Sequence, residues 1–179
     1  MKRTSKLVLS AFFMALGIVL PFLIGQIPQI GRMLLPMHIP ILLCGFICGW
    51  QYGLAVGFIT PLLRGVMFGM PALMPSGAGM AVELAVYGLV TGILYAKLPK
   101  KISYVYVSLL AAMIAGRIAW GIASIVIYGF MGNQFSMKLF MSGAFLTAIP
   151  GIILQIVLVP AIIIALKKAR VLNDFGSDL

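Results

Sequence analysis

The sequence predicts an all-α integral membrane protein, a bundle of six transmembrane helices with both termini in the cytoplasm. Of the 179 residues, 63% are apolar and 9% are charged, and only three are acids. Soluble domains carry about 25% charged residues, so three acids cannot supply a water-exposed surface. Spans of about 20 residues each use nearly the whole chain, and we expect one transmembrane domain over residues 1–179.

Apolar stretches separated by Gly, Pro and basic residues mark the predicted spans. The spans cover about residues 7–24, 36–48, 54–68, 78–96, 103–130 and 143–166. The second is short for a crossing, and we expect it to be tilted or extended by its neighbours. We interpret residues 49–53 as a tight turn, residues 69–77 as a Pro/Gly loop and residues 97–101 as a basic turn.

The charge distribution predicts the orientation of the chain. The formal net charge is +10, but the basic residues lie at predicted helix ends and form no stripe with aromatics, which argues against a nucleic-acid partner. With the N-terminus in the cytoplasm, the outer loops hold only Arg32 and Lys138. The inner side collects Lys2, Arg3, Lys6, Lys97, Lys100, Lys101, Lys167, Lys168 and Arg170. This asymmetry agrees with the positive-inside rule and with an even number of spans.

Three charged residues, Arg64, Glu83 and Arg117, fall within predicted spans. A charge at mid-membrane costs about 2.5–3.5 kcal/mol or more unless it is paired or hydrated. Counted at about 1.5 Å per residue from the predicted helix ends, all three lie in the outer half of the membrane. His38, at the outer end of the second span, joins the same layer. We therefore predict a polar cavity that opens to the outside.

Two aromatic residues share helix faces with these charges. Trp120 follows Arg117 by three residues, and Tyr87 follows Glu83 by four, so we expect both rings to line the cavity. Two arginines and one glutamate leave a net positive charge, which suits a small anion such as a carboxylate held by Arg. Alternatively, one arginine pairs with Glu83 only to stabilise the bundle, or reaches the outer headgroups.

Small residues in the first span form a second candidate site. Ala11 and Ala15 are four residues apart, a spacing that lets another helix approach closely. That helix belongs either to this chain or to a separate membrane partner. Cys44 and Cys48 share a face without a His or acid beside them, so we expect packing residues there. We expect neither a metal nor a cofactor in this chain.

Several of these features together resemble the substrate-binding S component of an energy-coupling factor (ECF) vitamin transporter. They are the six-span size, the face of Ala11 and Ala15, and the run from Leu35 to Phe46 that continues from Gly49 to Phe58. This run opens the second span with Ile-Pro followed by Gly five residues after the Pro, and a Gly-bounded turn leads into the third span. The resemblance covers nearly the whole chain.

The resemblance implies a substrate-capture subunit of an ATP-driven importer in the bacterial cytoplasmic membrane. Such a subunit binds a vitamin or precursor in an outward-facing pocket, holds no ATPase, and topples in the membrane with its partners. The partners are a membrane T component, which by position would contact Ala11 and Ala15, and two cytoplasmic ATP-binding-cassette ATPases. The loop Gly25 to Leu35 is the family's usual lid, and Gly69 to Ser76 is a second candidate lid.

The residues expected to bind substrate are Arg64, Glu83, Arg117, Trp120, Tyr87 and His38. Pantothenate, or another small anionic compound, fits this balance of charges. A pyridoxine-type compound, riboflavin, folate and a queuosine precursor stay open, because the aromatic residues suit the stacking of a ring.

Other functions fit the sequence less well. A membrane enzyme would need paired acids, a His/Glu metal set or a Ser/His pair, and one acid and one His in the spans do not supply these. A stand-alone proton- or sodium-coupled secondary carrier, with Glu83 binding the ion, is the alternative that the sequence leaves open.

Overall fold

The computed structural model describes residues 3–24, 33–132, 136, 141 and 147–169. These residues form α-helices and no β-strand. The helices are α1 (Arg3–Val19), α2 (His38–Cys48), α3 (Trp50–Phe68), α4 (Ala78–Lys97), α5 (Ile102–Phe130) and α6 (Ile149–Lys168). A short helical turn, Leu20–Ile24, extends α1, and another, Leu73–Gly77, leads into α4.

The outer surface of the bundle is apolar, as a lipid-facing surface must be. Four helical segments of the described chain are long and apolar enough to cross a membrane: Arg3–Leu23, Leu73–Lys97, Ile102–Phe130 and Ile149–Lys168. The longest, α5, exposes an aliphatic stripe made of Leu110, Ile114, Ile118, Ile122 and Ile125. Such a stripe is stable only against lipid or another apolar surface. The chain is therefore an all-helical, multi-pass membrane protein, whereas the count of six spans stays a prediction.

The shortest described helix, α2, lies inside the bundle. It has 11 residues, ten of them buried, and rises about 16 Å, roughly half of a hydrocarbon core of about 30 Å. It turns directly into α3 at Gly49, whose φ of 97° lies in the left-handed region that favours glycine. The predicted turn at residues 49–53 is thus wrong in extent, because Trp50 to Gly53 already form the first turn of α3.

Glycines bring the backbones of α2, α3 and α4 into contact. A Cβ atom on Gly88 would lie 2.2 Å from the backbone of Gly53, and one on Gly57 would lie 2.2 Å from the carbonyl oxygen of Leu84. A Cβ atom on Gly45 would meet the carbonyl oxygen of Gly88 at 2.7 Å. Any side chain at these positions would push the helices apart. These contacts make α3 antiparallel to α4, with α2 parallel to α4 beside them.

The remaining helices complete an alternating bundle. In α1, Gly17 lies beside Thr60 of α3, and the carbonyl oxygen of Ile18 accepts a hydrogen bond from Arg64, so α1 runs parallel to α3. At the end of α6, Nζ of Lys167 donates a hydrogen bond to the carbonyl oxygen of Lys100 at 2.7 Å. Helices α2, α4 and α6 therefore all begin at one end of the bundle, and α1, α3 and α5 begin at the other.

The end at which α1, α3 and α5 begin carries the described basic residues that lie outside the helix interiors. They are Arg3, Lys6, Lys97, Lys100, Lys101, Lys167 and Lys168. Burial, and after it the charge of Lys167, lowers the pKa of Lys100, whose ammonium group lies 4.0 Å from the ring centroid of Tyr95. The grouping agrees with the predicted charge asymmetry; the cytoplasmic placement of this end stays a prediction.

The starts of three predicted spans differ from the structure by four residues or more. Helices α1 and α3 begin at Arg3 and Trp50, each four residues earlier than predicted. Helix α6 begins at Ile149, because Thr147 and Ala148 form a turn; residues 143–146 of the predicted sixth span lie outside the described residues.

Candidate functional site

The carboxylate of Glu83 is the centre of a buried polar cluster that three helices build. Glu83 is five residues into α4, and its Oε1 lies 2.9 Å from Nη1 of Arg117 on α5. On the α2 side, Nε2 of His38 lies 3.6 Å from the same oxygen. All three side chains are at most 7% exposed. The predicted grouping of these three residues is therefore what the structure shows, with Arg117 as the ion-pair partner of Glu83.

Tyr87 lies one turn along α4 from Glu83 and joins the cluster. Its side chain is fully buried, and its ring contacts the His38 ring edge-on with centroids 5.5 Å apart. A Cβ atom on Gly116 would lie 2.0 Å from Cε1 of Tyr87, so only a glycine before Arg117 leaves room for the ring. Tyr87 is thus fixed between α2 and α5 with its hydroxyl in the polar layer.

Trp120 extends the same interface by one turn of α5. Its indole Nε1 lies 3.2 Å from the position that a Cβ atom on Gly79 would occupy, and Gly79 is one turn of α4 before Glu83. The predicted aromatic residues, Tyr87 and Trp120, therefore lie on the α4–α5 interface on either side of the ion pair. They flank the charged groups along the helix axis.

Polar atoms without partners are concentrated at this cluster. In the described part of the chain, eight buried side-chain nitrogen and oxygen atoms have no hydrogen-bond partner within the protein. They are Nδ1 and Nε2 of His38, Oε1 of Glu83, the hydroxyl of Tyr87, Nε and Nη2 of Arg117, and Nε2 and Oε1 of Gln155. The Glu83–Arg117 contact is close enough for an ion pair, but its alignment leaves Oε1 without a directed hydrogen bond. Buried polar groups in proteins are nearly always paired.

Other buried hydroxyl groups in the bundle behave differently. The hydroxyl of Thr60 donates to the backbone carbonyl oxygen of Val56 at 2.6 Å, and that of Thr91 donates to the backbone carbonyl oxygen of Tyr87 at 2.7 Å. Ser108 does the same with Tyr104 at 2.8 Å. The interior therefore satisfies its isolated polar groups through the helix backbone, and the unpaired atoms mark one set of five residues.

Gln155 is the member of this set that the sequence analysis missed. It lies in α6, between Leu154 and Ile156, and is fully buried. The signal was present, because Gln155 is the one polar side chain between Ile149 and Leu166.

Arg64 contacts a different set of groups from Arg117. Its Nε donates to the carbonyl oxygen of Ile18 at 3.3 Å, its Nη1 donates to that of Met70, and its guanidinium lies 5.4 Å from the Phe22 ring centroid. A cation at the last carbonyls of α1 is favoured by the helix dipole. The structure therefore joins Arg64 to the end of α1 and to the loop after α3, and a contact between Arg64 and substrate stays a prediction.

The remaining sequence candidates lie on the surface or outside the described chain. Ala11 and Ala15 are both exposed on α1, as a face that receives another helix must be. The first candidate lid, Gly25 to Leu35, falls mostly on residues 25–32, which lie outside the described residues. The second candidate lid, Gly69 to Ser76, is a loop only to Ala72, because Leu73 to Ser76 belong to the helical turn before α4. It packs against the end of α3, where a Cβ atom on Gly65 would lie 2.8 Å from the carbonyl oxygen of Pro71.

Comparison with known proteins gives one match. The sequence model of the family described as "ECF transporter, substrate-specific component" matches residues 5–163. No curated protein and no solved structure matches the chain significantly.

The buried ion pair predicts a non-additive mutational effect. Glu83→Met leaves Arg117 buried without its counter-charge, which costs about 3–5 kcal/mol in comparable pairs. The double variant Glu83→Met/Arg117→Met removes both charges and should melt at a higher temperature than Glu83→Met alone. Thermal unfolding of the purified chain in detergent measures both. Additive losses from the two substitutions would show that the groups do not interact.

Proposed function

The chain belongs to the family of ECF transporter substrate-specific components, and on that premise we propose that it captures a vitamin or vitamin precursor at the Glu83 cluster. Members of this family are substrate-binding subunits of transporters and not enzymes. The observation that carries the proposal is the set of buried polar atoms around Glu83 and Arg117 that have no partner within the protein. An atom of this set that also lies in no ion pair, such as Nε or Nη2 of Arg117, costs about 1–3 kcal/mol when left unsatisfied, and a bound ligand would recover that cost.

The guanidinium of Arg117 supports a substrate with a carboxylate. Its Nη1 faces Glu83, while Nε and Nη2, which point along a shared edge of the planar group, are unpaired. This edge is the fork that binds a carboxylate through two parallel hydrogen bonds. Oε1 of Glu83 and the ring nitrogens of His38 remain available to a hydroxyl or N–H of the same molecule. Pantothenate-like compounds carry both kinds of group.

The position of the cluster supports capture from outside the cell. His38 begins α2 and Glu83 is five residues into α4, so both lie near the end opposite the lysine-rich end. If the lysine-rich end faces the cytoplasm, as the positive-inside rule requires, the cluster faces outward. The loop Gly69 to Ser76 lies at this end, and the bond from Arg64 to Met70 holds it there. We assign this loop as a gate and Arg64 as the residue that positions it.

Release of the substrate into the cytoplasm would follow from docking of this chain on partner subunits. Ala11 and Ala15 leave α1 with an exposed small-residue face that suits a helix of the membrane T component. Two cytoplasmic ATPases would supply the energy that this chain does not. The direct backbone contacts of α3 with α4 favour movement of the bundle as one body, which agrees with toppling of the whole subunit in the membrane.

The proposed carboxylate clamp predicts a ligand and a variant that loses it. A thermal-shift screen of the purified chain against B vitamins and precursors, followed by calorimetry, should give at least one carboxylate-bearing ligand that raises the melting temperature. Arg117→Lys keeps the charge beside Glu83 but lacks the planar fork, so it should weaken that ligand about tenfold or more.

Lys101→Ala, which removes an exposed charge at the opposite end, is the matched control and should bind as the wild type does. Equal affinity in Arg117→Lys would overturn the clamp. A chain that stays monodisperse and binds no compound in the screen would argue for the proton- or sodium-coupled carrier instead.

The alanine face predicts a separable defect in assembly. Ala11→Leu and Ala15→Leu should reduce recovery of the T component in co-purification from membranes that contain all the subunits. Substrate affinity should not change, because both side chains are exposed on α1 away from the Glu83 cluster. Ala161→Leu places the same bulk on an exposed position of α6 and should assemble normally. Full recovery of the T component with both α1 variants would contradict this interface.

A further inference from the structure

Gln155 is a fully buried amide that the carboxylate clamp does not use. Neither its Nε2 nor its Oε1 has a hydrogen-bond partner within the protein. Burying a polar amide without hydrogen bonds costs about 1–3 kcal/mol by protein mutational data. Its neighbours on the same buried face of α6, Gly151 and Val159, have no polar side chain. The amide is therefore an isolated polar group, whose partner must come from outside the chain, as a ligand or a water molecule.

The packing of α6 sets the height of Gln155 in the bundle. A Cβ atom on Gly151 would lie 2.6 Å from the carbonyl oxygen of Met33 and 2.8 Å from the carbonyl carbon of Leu34. Gln155 follows Gly151 by four residues on the same buried face of α6, which places it about 6 Å further along the helix. Because α2 and α6 run in the same direction, Gln155 lies further into the bundle than Leu34, on the side towards which α2 runs from His38.

The depth of Gln155 along its own helix agrees with this placement. Gln155 is six residues after the start of α6, about 9 Å, and Glu83 is five residues after the start of α4, about 8 Å; both helices begin at the same end. Helix α6 packs against α2 and α5, the helices that carry His38 and Arg117. Gln155 thus adds an α6 side to the polar layer that α2, α4 and α5 build.

We infer that Gln155 contacts the substrate directly, and that the substrate carries an amide or lactam group. The inference rests on the proposed function and extends it. A carboxamide offers an N–H donor and a carbonyl acceptor side by side. A ring lactam, whose N–H and C=O lie on one edge, can satisfy both together, whereas an open-chain trans amide, whose N–H and C=O point in opposite directions, satisfies one of them. A substrate that also fills the Arg117 fork has a carboxylate at one end and an amide or lactam at the other.

Two probes of known chemistry cover the two forms of this group. Pantothenate has a carboxylate and an open-chain amide. Folate has carboxylates, an open-chain amide and a ring lactam. The wild-type chain should bind at least one of them by calorimetry. Binding of pantothenate would show that an open-chain amide suffices, and binding of folate alone would favour the lactam.

The decisive variant is Gln155→Met, which has nearly the same length and no hydrogen-bonding amide. It should lower the affinity for the probe that the wild type binds about tenfold or more. The melting temperature without ligand should stay the same or rise, because an unpaired amide is removed from the interior. Gln155→Glu keeps the shape but replaces the amide N–H donors by a carboxyl oxygen, and should also weaken binding. Gln51→Leu, at an exposed position in the first turn of α3, is the control and should bind normally.

The outcomes separate this inference from the function on which it rests. Suppose that the wild type binds a probe, that Arg117→Lys lowers the affinity for this probe and that Gln155→Met does not. The proposed function then stands, and the role of Gln155 is overturned. If Gln155→Met lowers the melting temperature without ligand, Gln155 is a structural residue and the inference is also overturned. If the wild type binds neither probe, the carboxylate-and-amide substrate is wrong. The vitamin screen then shows separately whether the proposed function holds.

Discussion

The carboxylate of Glu83 constrains the whole bundle, because an ionised group between lipid-facing helices has no bulk water to solvate it. Arg117 and His38 approach it from two other helices, so α2, α4 and α5 must meet at one height. Apolar replacements of a buried ion pair are often neutral or stabilising, and a bundle built only for stability has no need of this one. The atoms that remain unpaired around it therefore favour a binding function over a structural one.

Glycines, and not large side chains, allow these helices to pack closely. Gly53 and Gly57 let α3 lie directly on the backbone of α4, which fixes α4 with Glu83 and Tyr87 towards α2 and α5. Gly116 accepts the Tyr87 ring against α5, and Gly151 lets α6 begin against the backbone of Met33 and Leu34. The polar cluster thus rests on backbone contacts that cannot adjust gradually, which suits a site that must be preorganised and a subunit that moves as one body.

The sequence predicted the class of the protein better than the geometry of its site. Composition and the spacing of apolar runs were enough for an all-helical membrane protein, and membrane-embedded charge was enough to single out Glu83, Arg117 and His38. Arg64 looked equivalent to Arg117 because both are arginines within apolar runs. Only the packing of α1 and of the loop after α3 shows that Arg64 is bonded to the carbonyl oxygens of Ile18 and Met70. Gln155 was overlooked because an uncharged side chain in a span costs less than a charge, and only its burial shows its position.

The most direct test of the central claim is a high-resolution structure of the chain with the ligand that the binding screen identifies. The account predicts that acceptor atoms of the ligand lie within hydrogen-bond distance of Nε and Nη2 of Arg117, with a donor facing Oε1 of Glu83. A ligand bound elsewhere in the chain, with ordered water on these atoms, would contradict it and would leave the Glu83 cluster as a hydrated structural ion pair.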